Sequence, residues 1–224
     1  MELFSKNIAF LLQKRGEGLT HFLSNHSIQR LEDLPLSFWI DFARKEGCQL
    51  TDLMQFSISV DRDKLRNIKL LILDVDGVMT DGGMYFAESG DQFKKYNTKD
   101  GMAIIHLTKQ NFQVGIISSG FKQELVKSRA ELLGIQHFYV GREPKIDILK
   151  QWCSDLQFSL EEVAIIGDDI NDLSVMKNVG FSACPSDAVE AVKSHVDLVL
   201  KQQGGQACVR EFIDNYLLER RLGE

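Results

Sequence analysis

Leu70-Leu71-Ile72-Leu73-Asp74-Val75-Asp76-Gly77-Val78-Met79-Thr80-Asp81-Gly82-Gly83 sets four consecutive apolar residues directly before acids and glycines. The apolar run is too short for a helix and suits a strand buried on both faces. Such strands lie in the middle of parallel α/β sheets, whose ligands bind beyond the strands' carboxyl ends. Asp74 and Asp76 are two apart, so in extended geometry their side chains point the same way. Paired carboxylates repel one another, and a divalent cation is the usual remedy. Gly77 lets the backbone leave the strand at an angle other residues resist. Taken alone, the stretch reads equally well as a polar turn after a core strand.

Downstream, strand and helix patterns alternate as in a doubly wound α/β domain. Lys69 to Val75 is the first expected strand. A short hairpin follows, with Met84-Tyr85-Phe86 and Gln92 to Tyr96 flanking the turn Glu88-Ser89-Gly90-Asp91. Asp100 is expected to cap a helix through Gln110. Further strands are expected at Val114 to Ser118, Phe138 to Val140, Val163 to Ile166, Gly180 to Cys184 and Val196 to Leu200. Helices fill Phe121 to Leu133, Lys145 to Leu156, Asn171 to Val179, Ala188 to Lys193 and Ala207 to Arg220.

Residues 1–66 read differently, as several short amphipathic helices with no strand. Phe4, Ile8, Phe10, Leu11 and Leu12 mark a first helix ended by Gly16, and Leu19, Phe22, Leu23 and Ile28 a second group. Leu36, Trp39, Ile40 and Ala43 mark a helix closed by Gly47, and Leu50, Leu53, Met54 and Phe56 a last one. The expected organisation is therefore a small helical bundle over 1–66 and an α/β domain over 67–224. The bundle faintly resembles the helix-turn-helix domains of Cro/repressor type. A DNA reader needs a basic recognition helix and phosphate-binding lysines and arginines. This segment carries as many acids as bases, so nucleic acid is not the expected partner.

The 224 residues are 44% hydrophobic and carry a net charge of −6. That balance argues against a general nucleic-acid or membrane-surface binder. Cys48, Cys153, Cys184 and Cys208 lie far apart, without a Cys-x-x-Cys pair. They read as reduced packing cysteines of a cytoplasmic protein. No apolar run reaches the roughly 18–20 residues that span a bilayer, and the N-terminus lacks a signal-peptide pattern.

Three expected strand ends carry polar residues that can converge. The first offers Asp74 and Asp76, the second Ser118, Ser119 and Gly120, and the fourth Asp168 and Asp169 with Asp172 one turn on. Lys145 follows Pro144 at the start of its helix. Together these supply carboxylates for Mg²⁺, a helix N-terminus with a hydroxyl for phosphate, and a lysine for charge.

The ordered set Asp-x-Asp-Gly-Val, Ser-Gly, Lys and Gly-Asp-Asp-x-x-Asp resembles the haloacid dehalogenase superfamily of phosphotransferases over residues 68–217. The resemblance implies a Rossmann-like parallel sheet. It makes Asp74 the nucleophile that forms a phosphoaspartate, and also a Mg²⁺ ligand. Asp76 becomes general acid and then base, and holds the metal through its backbone carbonyl. Asp168 becomes the third ligand, while Ser119 and the Gly120 amide hold phosphate. Lys145 neutralises charge, Asp172 orients Lys145, and Asp169 supports the metal site. A carboxylate cannot attack a phosphate dianion unless cations screen the repulsion, which fits this assignment.

About 43 residues separate Asp76 from Ser119 and about 23 separate Lys145 from Asp168, too few in either gap for a cap domain. An uncapped site is open to water, so closure by a neighbouring subunit is expected. The stretches around Asp74, Asn97 to Gly101, Gly167 to Met176 and Gly204 to Glu211 resemble the 3-deoxy-D-manno-octulosonate 8-phosphate phosphatases and their nine-carbon sialic-type relatives. That resemblance implies a phosphorylated sugar acid as substrate and a capless homotetramer built around the hairpin. It also implies a Gly-Gly tail reaching a neighbour's site, and substrate contacts from Lys99 and Arg210. Phe121 and Lys99 stand where that family usually has arginine, and lysine keeps the charge but not the bidentate fork. The alternatives are a nine-carbon acid 9-phosphate phosphatase and a non-enzymatic assembly or regulatory protein built on the N-terminal bundle. A receiver-type phosphoacceptor does not fit, because its acid pair and its acceptor Asp sit on different strands.

Overall fold

The structure is a computed structural model that describes residues 2–55, 62–88, 92–120 and 122–218. Phe56, most of the hairpin turn, Phe121 and the last residues of the expected C-terminal helix lie outside the described residues. The chain divides into two compact units, the first to Asp61 and the second from Arg62. None of the described helices is long and apolar enough to cross a membrane. None of the four cysteines is in a disulfide.

The first unit contains α1 (Glu2–Lys14), α2 (Leu19–Asn25), a 3₁₀ turn (Leu31–Asp33), α3 (Leu36–Lys45) and α4 (Leu50–Gln55). Phe4, Ile8, Leu11 and Leu12 recur at helical spacing, so α1 buries one stripe. That stripe packs with Phe22, Trp39, Phe42, Ala43 and Leu53. Two hydrogen bonds fix the packing: Asn7 Nδ2 donates to Leu53 O at 2.9 Å, and Trp39 Nε1 donates to Leu31 O at 3.1 Å. Arg15 pairs with Glu46, Arg30 with Asp33 and Arg44 with Asp41.

The second unit opens with α5 (Arg62–Arg66) and then builds one parallel sheet. Its strands are β1 (Leu70–Leu73), β4 (Gln113–Ser118), β5 (His137–Val140), β6 (Val163–Ile166), β7 (Phe181–Cys184) and β8 (Leu198–Val199). They lie in the order β5-β4-β1-β6-β7-β8. β1 is buried along its whole length and pairs with β4 on one side and β6 on the other. The chain therefore builds outward from β1 in one direction and returns to build in the other. The reversal opens a crevice at the carboxyl ends of β1, β4 and β6. Helices α6 (Thr98–Lys109), α7 (Gln123–Leu133), α8 (Lys145–Leu156), α9 (Leu173–Met176), α10 (Glu190–Lys193) and α11 (Cys208–Phe212) complete the unit. Between β1 and β4, β2 (Tyr85–Phe86) and β3 (Gln92–Phe93) form a two-residue antiparallel hairpin. The described residues between Asp76 and Ser119 and between Lys145 and Asp168 hold these elements and no cap domain.

Three local expectations change. Asn97, not Asp100, caps α6, its side chain accepting from the Lys99 amide. Asp100 lies inside the helix and is 2% exposed, turned inward toward a different partner. The helix expected from Asn171 is a 3₁₀ turn (Ile170–Asp172) followed by the single turn of α9, because Asp172 folds its carboxylate back onto the preceding amides. α11 is short and widens into a π turn over Ile213–Leu218.

Leu12 is fully buried whereas Leu36, on α3, is 61% exposed. Leu12→Ala is expected to cost about 2–5 kcal/mol of the first unit's stability. Leu36→Ala is expected to change it by no more than about 0.5 kcal/mol. Urea unfolding of the full chain in a Trp152→Phe background, where Trp39 is the one tryptophan, followed by its fluorescence, checks both.

Candidate active site

The end of β1 fixes the first acid. The Asp74 amide donates to Ile166 O at 3.0 Å, so sheet pairing with β6 continues one residue past the strand and holds Asp74 in place. Lys145 opens α8, and its ammonium is 2.9 Å from Asp74 Oδ1 and 2.7 Å from Asp172 Oδ1. Asp172 is completely buried, and its second oxygen accepts the amides of Asp168 at 3.1 Å and Asp169 at 3.4 Å. It thereby fixes both the lysine and the turn that presents Asp168.

Gly77 has φ +88°, a left-handed conformation that suits glycine. A Cβ there would stand 2.1 Å from Asp168 Oδ2, so the absence of a side chain also lets the carboxylate of Asp168 approach the loop after β1.

Asp74, Asp168 and Asp172 each place one carboxylate oxygen within 4.8 Å of the others, around a single ammonium. Burial, reinforced by Asp172 and opposed by Lys145, pushes Asp74 up to about 7. Burial, then Asp74, Asp172 and Asp169, push Asp168 up to about 8. Burial acts to lower Lys145, but Asp74 and Asp172 outweigh it and hold the ammonium protonated. The cluster thus has an excess of negative charge that one lysine does not balance. Asp168 Oδ1 is buried with no hydrogen-bond partner among the described residues. An all-oxygen donor set with an unmatched carboxylate oxygen fits a hard divalent cation. Both oxygens of Asp172 already have partners, so Asp74 and Asp168 are the better ligands.

These acids line a cavity of about 260 Å³ at the crevice. Asp76 reaches it from the loop after β1, partly buried, and its carboxylate pairs with Lys94 of the hairpin segment. Ser119 and Gly120 form another wall. Ser119 Oγ accepts from Asn171 Nδ2 at 3.2 Å, and the Gly120 amide donates to Ser118 Oγ at 3.2 Å. Asp169 lines the same cavity, its Oδ1 accepting the Ile170 amide at 2.7 Å.

Of the expected site residues, Asp74, Asp76, Ser119, Gly120, Asp168 and Asp169 line the cavity, and Lys145 and Asp172 lie directly behind Asp74. Lys99 and Arg210 are not among the residues that line it. Lys99 is exposed on α6, and Arg210 pairs with Asp214 on its own helix. Gly204 and Gly205 are packed on this chain's own loop at Gly77 and Thr80 rather than projecting as a tail. Sequence reasoning missed Lys94, Lys122 and Asn171, which also line the cavity. Nothing in the sequence separates Lys94 from its neighbour Lys95, which pairs with Asp81 instead.

Comparison with known proteins agrees with this geometry. Residues 91–180 match the model of the haloacid dehalogenase-like hydrolases. The 3-deoxy-D-manno-octulosonate 8-phosphate phosphatase of Salmonella typhi is 40% identical over 155 residues, which cover 69% of this chain and 82% of the relative. The crystal structure of the Yersinia pestis phosphatase of the same name superposes with a TM-score of 0.70 at 37% identity, covering 74% of this chain and 88% of that one. The Moraxella catarrhalis phosphatase, solved in complex with a magnesium ion, a phosphate ion and a KDO molecule, superposes at 0.67 with 29% identity, covering 70% and 90%. The sheet order, the acid cluster behind β1 and this kinship together make the chain a haloacid dehalogenase-like phosphoric monoester hydrolase, a member of the family of 3-deoxy-D-manno-octulosonate 8-phosphate phosphatases.

Proposed function

We propose that the chain hydrolyses 3-deoxy-D-manno-octulosonate 8-phosphate through a phosphoaspartate on Asp74. The observation that carries this reading is Asp74 itself, a buried carboxylate held by Lys145 at the cavity floor beside Asp168, with Asp76 at the wall. Asp74 Oδ attacks phosphorus as the ester bond to the sugar oxygen breaks. Asp76 delivers its proton to the departing alkoxide and so ends the step ionised. It then takes a proton from the water that attacks the phosphoaspartate, which frees Asp74 and releases inorganic phosphate. Lys145 offsets the charge of both the carboxylate and the phosphoryl group. Ser119 and the Gly120 amide hold the phosphoryl oxygens, with the amide exchanging its bond to Ser118 Oγ for one to phosphate. Asp74, Asp168 and the Asp76 carbonyl would hold Mg²⁺, which supplies charge neutralisation at the phosphoryl oxygens when bound. Asp172 orients Lys145, and Asp169 supports the turn.

Recognition of the sugar acid's carboxylate is assigned to Lys94 and Lys122, whose side chains belong to the cavity, rather than to Lys99 and Arg210, which lie outside it. The open crevice and the exposed Met84, Tyr85 and Phe93 of the hairpin support assembly through that hairpin into the homotetramer the family resemblance implies. A neighbouring copy would then cover the mouth of the site. The first unit serves packing or assembly.

Asp74→Asn is expected to lower turnover by several orders of magnitude, since it removes the nucleophile. A steady-state phosphate-release assay checks this, and turnover near the wild-type rate would rule out the covalent route. Among substrates, the eight-carbon acid phosphate is expected to exceed nine-carbon sialic-type 9-phosphates in kcat/KM by on the order of tenfold or more. The reverse order would assign the chain to the nine-carbon substrates.

Asp74 and Asp168, raised to about 7 and about 8 from an ordinary 3.8, bind more protons folded than unfolded. Without metal, stability is therefore expected to fall as pH rises from about 4 to about 8. A bound cation offsets that penalty, stabilising the folded chain by about 2.7 kcal/mol in all at a hundredfold excess over Kd. Thermal unfolding in EDTA and in Mg²⁺ across this range checks both statements. A midpoint insensitive to Mg²⁺ at pH 8 would refute the metal assignment.

A further inference from the structure

The loop that carries Asp76 is held from outside by a second segment of the same unit. Gly205 donates its amide to Val78 O at 2.9 Å, and Cys208 Sγ donates to the same oxygen at 3.3 Å. A Cβ on Gly204 would stand 2.0 Å from Gly77 O, and one on Gly205 2.5 Å from the Asp81 amide. Residues 204–208 are thus a strap laid directly on the loop, with glycine where the two backbones touch. The strap's own conformation is costly, because Ala207 has φ +74°, a left-handed value rare for a residue with a side chain.

The side chains that fix the strap come mainly from the first turn of α6. Asp100 Oδ1 accepts the Arg210 amide at 2.7 Å, in the first turn of α11, and so anchors the end of the strap that runs into that helix. Asn97 Nδ2 donates to Gly205 O at 2.9 Å. From the other side, Asp187 Oδ1 accepts the Gly204 amide at 2.9 Å. Asp100 is kept at a cost. It is 2% exposed, its Oδ2 has no partner among the described residues, and burial pushes it up to about 6 against the pull of the backbone amides and Arg129. A group buried on those terms destabilises the fold unless it does something else.

We infer that Asp100 and Asn97 are positioning residues for the acid–base step, holding the strap at 204–208 against the loop so that the Asp76 carboxyl stays aimed into the cavity. Neither residue is among those that line the cavity. The inference rests on the reading of Asp76 as the acid that protonates the leaving group. A displaced acid matters for an alkyl phosphate, whose alkoxide must be protonated as it leaves. It matters little for an aryl phosphate, whose phenolate leaves unaided. Loss of Asp74, Lys145 or the fold as a whole harms both substrates alike.

The test compares kcat/KM, which reports formation of the phosphoenzyme, for 3-deoxy-D-manno-octulosonate 8-phosphate and p-nitrophenyl phosphate. The variants are Asp100→Asn, Asn97→Ser and Asp76→Asn in the full chain. Serine at 97 retains a cap for α6 and is too short to reach Gly205. Asp76→Asn is expected to lower the alkyl substrate by about 10²-fold or more and the aryl substrate far less. Asp100→Asn and Asn97→Ser are expected to shift the same ratio in the same direction, by about tenfold. In the double variant Asp76→Asn with Asp100→Asn, the ratio moves no further than with Asp76→Asn alone. If Asp76→Asn discriminates but Asp100→Asn and Asn97→Ser lower both substrates equally or change neither, the inference is overturned and the acid–base reading stands. If Asp76→Asn itself fails to discriminate, both fall. Should Asp100→Asn not fold, Asn97→Ser decides alone.

Discussion

The bridge of Lys145 between Asp74 and Asp172 is the interaction on which the rest of the site depends. Three carboxylates within 4.8 Å of one another would repel strongly in a dry interior. One ammonium offsets part of that repulsion and is itself held charged by it. Asp172 couples the ion pair to the backbone, because the carboxylate that holds Lys145 also accepts the amides that shape the Asp168 turn. Removing Lys145 leaves the buried carboxylates uncompensated, which costs more than the pair contributes. The remaining imbalance favours a divalent cation.

Much of this was legible in the chain. Buried strands of a parallel sheet are short apolar runs, and Leu70 to Leu73 and Val163 to Ile166 stop where the polar groups begin, so the strand ends announced Asp74 and Asp168. Pro144 marked the start of α8 and hence Lys145. What sequence could not reveal depends on long-range packing. Asp100 looks like a helix cap because acids favour first turns, yet Asn97 takes that role three residues earlier and Asp100 turns to an amide 110 positions away. Lys94 reads as one of several hairpin lysines, and only the folded hairpin brings it to Asp76. Asn171 meets Ser119 across 52 residues, from a turn that reads as the start of a helix.

The two kinds of residue divide by how they are held. Asp74, Lys145, Asp168 and Asp172 are fixed by the sheet, by a helix start and by backbone amides, with Asp168 half-buried and the other three buried. Lys94, Lys122, Ser119 and Asn171 reach the cavity from the hairpin and the loops, which tolerate change at low cost to the fold. On the proposed roles, phosphoryl chemistry depends on residues the fold cannot easily move, whereas sugar-acid recognition depends on residues it can. A relative at 40% identity can share the first set and differ in the second.

Asp76 belongs to neither set cleanly. It follows a rigid strand by three residues, but it sits on a kinked turn whose Gly77 adopts φ +88° and whose side chain answers to a hairpin lysine. In the proposed role of acid and then base, Asp76 needs a fixed backbone and a mobile charge environment. Thr80 closes the turn by donating its amide and its Oγ1 to Val75 O, and a second segment braces it from outside. Packing of Gly204 and Gly205 onto that turn is the brace, and their lack of side chains is what allows two backbones to meet at that distance. The glycines after β1 and those before α11 are thus one structural feature split across the sequence, and the site is complete only when both are in place.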